Sequence, residues 1–334
     1  MSTDLMKTLE EKAKARPQKV VFPEAGEDKI LQAARRVADA GIAHPILVGA
    51  PDTVRAQAES IGVSLDAIAL VDHREEKTVA DFAERYAAVN PLFSVKVVTH
   101  MLKNALNFAA VMVKLGEADC MVAGLSHTTG EVIMASEMII GLQDGISTVS
   151  SMGIMHVPGY QGPEGSLMAI ADCAVAPAPD SNELADIAIS TADTVERLLG
   201  WEPRVALLSF STKGSAEHAR VDRVCRALAL VKERQPDLLV DGELQLDSAI
   251  VPEVAARKIK EESPVAGRAN TLIFPDLNAG NIGVKLVQQF AGGVGYGPLL
   301  QGFARPVSDL SRGAPVEEIV GATIMVAVCA QASS

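Results

Sequence analysis

From Lys19 to Asp72 the chain alternates short apolar runs with amphipathic stretches of single-helix length. Lys19–Glu24, His44–Gly49 and Ala67–Asp72 read as buried strands; residues 4–15, Glu27–Ala40 and Pro51–Ile61 read as helices. Parallel strands cannot be joined by two-residue hairpins. Each needs a crossover long enough to hold a helix, and such crossovers are right-handed. This rhythm therefore predicts an α/β fold whose parallel sheet is covered by helices. It continues with helical stretches at 76–89 and 97–116, the second showing a small, apolar face (Ala105, Ala109, Met112) that reads as core. A strand follows at Asp119–Gly124, then a helix from Val132.

Around Gly141–Gly145 the pattern changes. Strands Thr148–His156 and Leu167–Val175 flank the turn-rich P-G-Y-Q-G-P-E-G, and Pro177, Pro179 and Asp180 precede a helix at 181–199. Then come strand Arg204–Phe210, helix Glu217–Arg234, strand Leu238–Leu246, strand Thr271–Pro275 and a helix bearing Lys285. Gly292, Gly293, Gly295 and Gly297 follow a helix rather than a strand, so they are no dinucleotide fingerprint. They read instead as the return to the first domain, completed by an apolar helix from Ile319 to Ala330. The expected division is 1–145 plus 296–334 as a discontinuous first domain and 146–295 as the second.

A net charge of −12 argues against nucleic-acid or anionic-membrane partners, which need a basic surface. No basic-then-apolar signal opens the chain, and the longest apolar C-terminal run falls short of the ~20 residues that span a bilayer. Cys120, Cys173, Cys225 and Cys329 lack metal or redox spacing, and the histidines are scattered, so a reduced cytoplasmic setting without a metal site is expected.

Four stretches carry candidate chemistry. The first is Pro306–Glu318, P-V-S-D-L-S-R-G-A-P-V-E-E, polar and turn-rich before the apolar helix. Gly313 offers backbone freedom, Pro315 suits the first helical position, and Glu317 and Glu318 suit the first turn, where the dipole favours negative charge. Ser311, Arg312 and a carboxylate are thus expected in one small volume, a set suited to acyl or phosphoryl transfer; ordinary capping is the other reading. The second is L-S-H-T-T-G-E, where Ser126, Thr128 and Thr129 lie between a strand end and a helix start, either as a phosphate site or as a helix cap. The third is S-T-K-G-S, where Ser211, Thr212, Lys213, Gly214 and Ser215 form either a phosphate cradle or an exposed loop without P-loop spacing. The fourth is D-L-N-A-G-N-I-G, where Asn278, Asn281 and Lys285 can orient a small anion. Asp241, Glu243 and Asp247 have near period-two spacing, readable as a divalent-metal face but better as hydrogen bonding at a sheet end.

D-L-S-R-G before a helix, with F-P-E, L-S-F-S-T-K-G-S-A, V-D-G-E-L-Q and I-F-P-D-L-N-A-G-N-I-G in that order, resembles the phosphate acetyltransferase family over almost the whole chain. The resemblance implies two three-layer αβα domains, similar to isocitrate and isopropylmalate dehydrogenases, with a cleft between them. It also implies a homodimer. The implied reaction is reversible acetyl transfer between acetyl phosphate and coenzyme A, without a metal, a covalent intermediate or any cofactor beyond coenzyme A as substrate. By the same resemblance Arg312 binds the phosphoryl oxygens, Ser311 hydrogen-bonds the reacting centre, and Glu318 stands where relatives place a catalytic aspartate. Met134 stands where an arginine is usual. These departures keep alternatives open: a compensating backbone, Glu317 as the base, reduced activity, or a non-catalytic acyl-coenzyme A sensor; a phosphate acyltransferase for a longer acyl group is a separate alternative. An isocitrate-type dehydrogenase shares only the architecture, and its nicotinamide and metal motifs are missing from this sequence.

Overall fold

A computed structural model describes residues 2–332. The chain forms two compact units, Thr3–Gln143 with the segment from Phe303 onward, and Asp144–Gly302.

The first unit begins α1 (Ser2–Ala15), β1 (Gln18–Phe22), α2 (Asp28–Asp39), β2 (Ala43–Val48), α3 (Pro51–Ser60) and β3 (Ala69–Val71). It continues with α4 (Glu76–Val89), α5 (Val95–Met101), α6 (Ala105–Lys114), β4 (Cys120–Ala123) and α7 (Thr129–Ile139). The helical stretch expected at 97–116 is two helices, because Asn104 accepts hydrogen bonds from the Leu106 and Asn107 N–H groups and restarts the chain as α6. The small, apolar face of α6 is core: Leu106 and Phe108 through Val113 are buried.

The second unit holds β5 (Ser150–His156), β6 (Leu167–Ala171), α8 (Ser181–Leu199), β7 (Arg204–Leu208), α9 (Ala219–Arg234) and β8 (Leu239–Leu244). It ends with α10 (Leu246–Ile250), α11 (Pro252–Lys258), β9 (Thr271–Ile273), α12 (Leu277–Ala291) and β10 (Val294–Gln301). Its strands run in the order β10-β5-β6-β9-β7-β8, with β5 antiparallel to both neighbours and β6, β9, β7 and β8 mutually parallel. The glycine-rich stretch read as a connector is largely strand β10, paired with β5 from Val294 to Gln301 across an irregularity at Tyr296–Leu299. Helix α8 starts on a capping box between Asp180 and Glu183 and stops at Gly200, whose φ of 73° suits glycine.

The chain then completes the first unit with β11 (Val307–Asp309) and α13 (Val316–Gln331). Strand order here is β3-β2-β1-β4-β11, all parallel. Val20, Val21 and Phe22 of β1 are fully buried, and α13 is buried from Ala322 through Ala330. A helix apolar all round belongs inside; α13 packs on β1, β2, β4, β11 and α2. The order reverses at β1, whose successor β2 lies on one side and β4 on the other. The carboxyl ends of β1 and β4 thus flank a switch point, where α/β sheets bind ligands. Among the described residues no helix is long and apolar enough to cross a membrane.

Candidate active site

The loop from β11 to α13 is set by its neighbour strand. Asp309 pairs with Ala123 of β4, and the Leu310 N–H donates to the Ala123 carbonyl at 2.8 Å. Ser311 to Ala314 then close a tight turn through a 2.9 Å bond from the Ala314 N–H to the Ser311 carbonyl. Pro315 is the N-cap rather than the first helical residue, and its carbonyl accepts from the Glu318 and Ile319 N–H groups. Gly313 does not adopt a left-handed φ, so its backbone freedom is not what shapes the turn.

Ser311, Arg312 and Glu318 are all exposed. Among the described residues no hydrogen bond or ion pair engages the Arg312 guanidinium; the charge it acts upon is Glu131, whose carboxyl it helps to hold down after the Thr128 hydrogen bonds. The two adjacent glutamates differ. Glu317 accepts from Arg36 at 2.8 Å, which holds its carboxyl below the usual range. Glu318 has no side-chain partner among the described residues.

Across the switch point, the turn after β4 is organised by a residue that local sequence signals did not single out. The Glu24 side chain, 1% exposed, accepts from the N–H groups of Gly124 (3.2 Å), Leu125 (2.9 Å), Ser126 (2.8 Å) and His127 (2.9 Å). The Ser126 hydroxyl (3.2 Å) and His127 Nδ1 (2.8 Å) also donate to it. Burial alone would push this carboxyl up, but the donors hold it down at about 2. His127 is raised in turn, chiefly by its bond to Glu24. The N–H groups of this turn are thus committed to the protein's own carboxylate.

The next residues are also committed. Thr128 caps α7 in a box with Glu131: its hydroxyl accepts from the Glu131 N–H at 3.2 Å, and Glu131 accepts from the Thr128 N–H at 2.7 Å. The helix accordingly starts at Thr129, three residues earlier than Val132. The Thr129 hydroxyl donates to Asp309 Oδ2 at 2.5 Å. Burial raises the Asp309 carboxyl, moderated by Thr129 and reinforced by the Glu24 charge. Asp309 Oδ1 is buried without a partner and packs on Gly124, where a Cβ would stand 2.3 Å from it. With φ at +110° as well, Gly124 is held to glycine. Met134 is 67% exposed on α7 and offers no charge to an anion.

In the second unit the S-T-K-G-S loop is tied down from below. Glu243, buried, accepts from the Ser211 hydroxyl and the Gly214 N–H, both at 2.8 Å. Thr212 is buried against Ser248 and Gln245, and its N–H donates to the Ser215 hydroxyl at 3.0 Å. The Lys213 amine, expected to face an anion, donates instead to Asp241 and to the Gly242 carbonyl at 2.9 Å. Asp241 also accepts from Ser263 at 2.5 Å, and Asp247 lies on α10 bound to Lys258 at 2.8 Å rather than on the strand. Each of these three carboxylates thus has its own protein partner. Asn281 donates to the Cys173 carbonyl at 3.2 Å, Asn278 and Lys285 are exposed on α12, and Gly280 lets that helix approach the Asp172 carbonyl, 2.2 Å from where a Cβ would be.

Arg312 and Glu318, neither with a side-chain partner among the described residues, thus stand where β11 gives way to α13 of a parallel α/β unit. Comparison narrows the class. The phosphate acetyl/butaryl transferase family model matches residues 4–327. A phosphate acetyltransferase of Thermoanaerobacterium thermosaccharolyticum is 44% identical over 329 residues, 98% of this chain and 99% of that one. A phosphotransacetylase structure from Streptococcus pyogenes superimposes with a TM-score of 0.91 at 36% identity, covering 99% of each chain. A putative 4-hydroxythreonine-4-phosphate dehydrogenase from Salmonella typhimurium, at 11% identity, TM-score 0.54 and coverage of 94% and 99%, shares the fold alone. The chain belongs to the phosphate acetyl/butaryl transferase family.

Proposed function

We propose that this chain moves an acetyl group reversibly between acetyl phosphate and coenzyme A, with Arg312, Ser311 and Glu318 as the reacting set. The observation that carries the assignment is the unpaired Arg312 guanidinium on the β11–α13 turn, six residues before an unpaired acid at the start of α13. A guanidinium with no partner is free to fork onto phosphoryl oxygens. Glu318 takes the thiol proton, whose unperturbed pKa resembles that of cysteine at ~8.5. The thiolate attacks the carbonyl carbon, the C–O bond to phosphate breaks, and Arg312 holds the departing charge. Ser311 donates a hydrogen bond to the reacting centre. Coenzyme A is substrate here, and the chemistry asks for no further cofactor.

The engagement of Glu317 by Arg36 favours Glu318 over its neighbour as the base. Ser126, Thr128 and Thr129 line the substrate side of the β4–α7 turn in this reading. Gly214, Ser215, Asn281 and Lys285 serve the second unit's part in substrate binding, while Ser211, Thr212 and Lys213 shape the loop from within, Lys213 through Asp241. The setting is the cytoplasm, in keeping with four free thiols.

The working form is a homodimer through α12. That helix exposes Ile282 (56%), Leu286 (50%) and Phe290 (86%) at i, i+4 and i+8, with Val294 just beyond, a stripe suited to a second copy. The test of function is thioester absorbance on mixing the purified chain with acetyl phosphate and coenzyme A, with propionyl and butyryl phosphates alongside. No thioester from any of them refutes the reading and favours the sensor.

A further inference from the structure

The carboxyl ends of three neighbouring strands meet at the reacting loop. β1 pairs with β4 and β4 with β11, all parallel, so the segments leaving them lie side by side. Glu24 follows β1, the 124–127 turn follows β4, and the loop bearing Ser311 and Arg312 follows β11. Only the third carries the reacting set.

Glu24 ties the first segment to the second. The six donors on its carboxylate all come from the 124–127 turn, five of them on Oε1 and the Leu125 N–H on Oε2. Gly124 ties the second to the third. A Cβ there would stand 2.6 Å from the Leu310 nitrogen and 2.7 Å from the Leu310 carbonyl oxygen, so the backbone of the turn lies directly against the residue before Ser311. The Leu310 N–H also donates to Ala123, the residue before Gly124. Past Leu310, among the described residues, the loop has its own Ser311–Ala314 bond and Lys29 Nζ at 3.4 Å from the Gly313 carbonyl.

A carboxylate only accepts hydrogen bonds, which is what six converging donors require. Its charge, 1% exposed, is tolerated only while those donors stay in place. The bonds that satisfy Glu24 therefore also fix where Gly124 stands, and Leu310 against it.

We propose that Glu24 is a positioning residue for acetyl transfer: by fixing the 124–127 turn it sets, through Gly124 and Leu310, where the Arg312 guanidinium meets the phosphoryl group. This rests on the acetyl-transfer reading. Glu24 itself touches no substrate and acts through Arg312. Glutamine in its place keeps the shape but turns an N–H toward Leu125 or toward the donors on Oε1, so the turn must shift.

The test is a double-mutant cycle on the full chain: parent, Glu24→Gln, Arg312→Ala and the pair. kcat/KM for acetyl phosphate is measured by thioester absorbance at saturating coenzyme A, at a temperature where thermal unfolding shows each protein folded. Glu24→Gln should lower kcat/KM at least about tenfold in the parent, since misplacing a reacting group is costly. In the Arg312→Ala background it should cost less than about twofold, because a guanidinium that is absent cannot be misplaced. A purely structural role would lower the melting temperature and cost the same factor in both backgrounds. Should Glu24→Gln not fold, His127→Ala, which keeps five of the six donors, carries the same cycle with an expected loss of about threefold or more in the parent. Equal losses in the two backgrounds, or no loss in an active parent, overturn the proposal and leave acetyl transfer standing. A parent that makes no thioester overturns both.

Discussion

Arg36 and Glu317 meet at 2.8 Å, and this ion pair distinguishes two adjacent acids at the start of α13. One is engaged, and the other, Glu318, has no side-chain partner among the described residues, which is why the proposed mechanism gives it the base's role. Both are exposed, so water screens the pair and it adds little to stability. Its consequence is chemical.

Glu317→Gln should therefore leave thioester formation within about threefold of the parent, whereas Glu318→Gln should lower kcat by about 100-fold or more. Glu318→Asp keeps the acid and shortens the arm by a methylene, a displacement of ~1 Å that can cost ~100-fold. It should fall between the two. Steady-state kinetics of the three variants check this, and a Glu317→Gln protein as impaired as Glu318→Gln would contradict the assignment.

Thr129 has its proton committed to Asp309 at 2.5 Å, so its lone pairs are what it turns outward. An oxygen that can only accept repels phosphate and welcomes an N–H or S–H donor. Thr129→Val should raise KM for coenzyme A several-fold and leave KM for acetyl phosphate in place. The reverse pattern would show that this turn binds the phosphoryl substrate after all.

Glu24 is the buried carboxylate whose partners span 124–127. Its folded pKa is lowered to about 2 from 4.5, so its contribution is fully present above pH 4.5 and is lost as pH falls toward 2. The shift corresponds to about 3 kcal/mol. Glu24→Gln should lower the melting temperature at pH 7 and flatten the parent's loss of stability between pH 4.5 and 2. Equal acid sensitivity in parent and variant, measured by thermal unfolding across that range, would refute the role.

Phe290 and Leu286 are the exposed centre of the α12 stripe. Phe290→Glu should turn a dimer into a monomer by light scattering, and an unchanged mass would place the interface elsewhere.

The strand–helix alternation made the α/β class legible from Lys19 onward, because buried parallel strands leave unbroken apolar runs. Strand β10 was hidden because V-G-Y-G-P-L-L-Q carries glycine and proline, residues that weaken a strand signal and are tolerated here where the pairing with β5 is irregular. Asn104 looked like one polar residue within a helix, and only its bonds to Leu106 and Asn107 reveal a cap. Arg312 and Glu318 were legible as candidates because they share one loop and one helix start. Glu24 was not, since its donors lie about a hundred residues away and a lone acid after a strand has no periodic signature. Lys213 misled for the same reason: a lysine in a βα loop looks free until Asp241, 28 residues on, is seen to hold it.

In the proposed reaction Arg312 holds the phosphoryl group during acetyl transfer. The decisive measurement is thioester absorbance with acetyl phosphate and coenzyme A, comparing the parent chain with Arg312→Ala. The expected result is robust thioester formation by the parent and a loss in kcat/KM of about 100-fold or more in the variant. Turnover by Arg312→Ala within threefold of an active parent would contradict it.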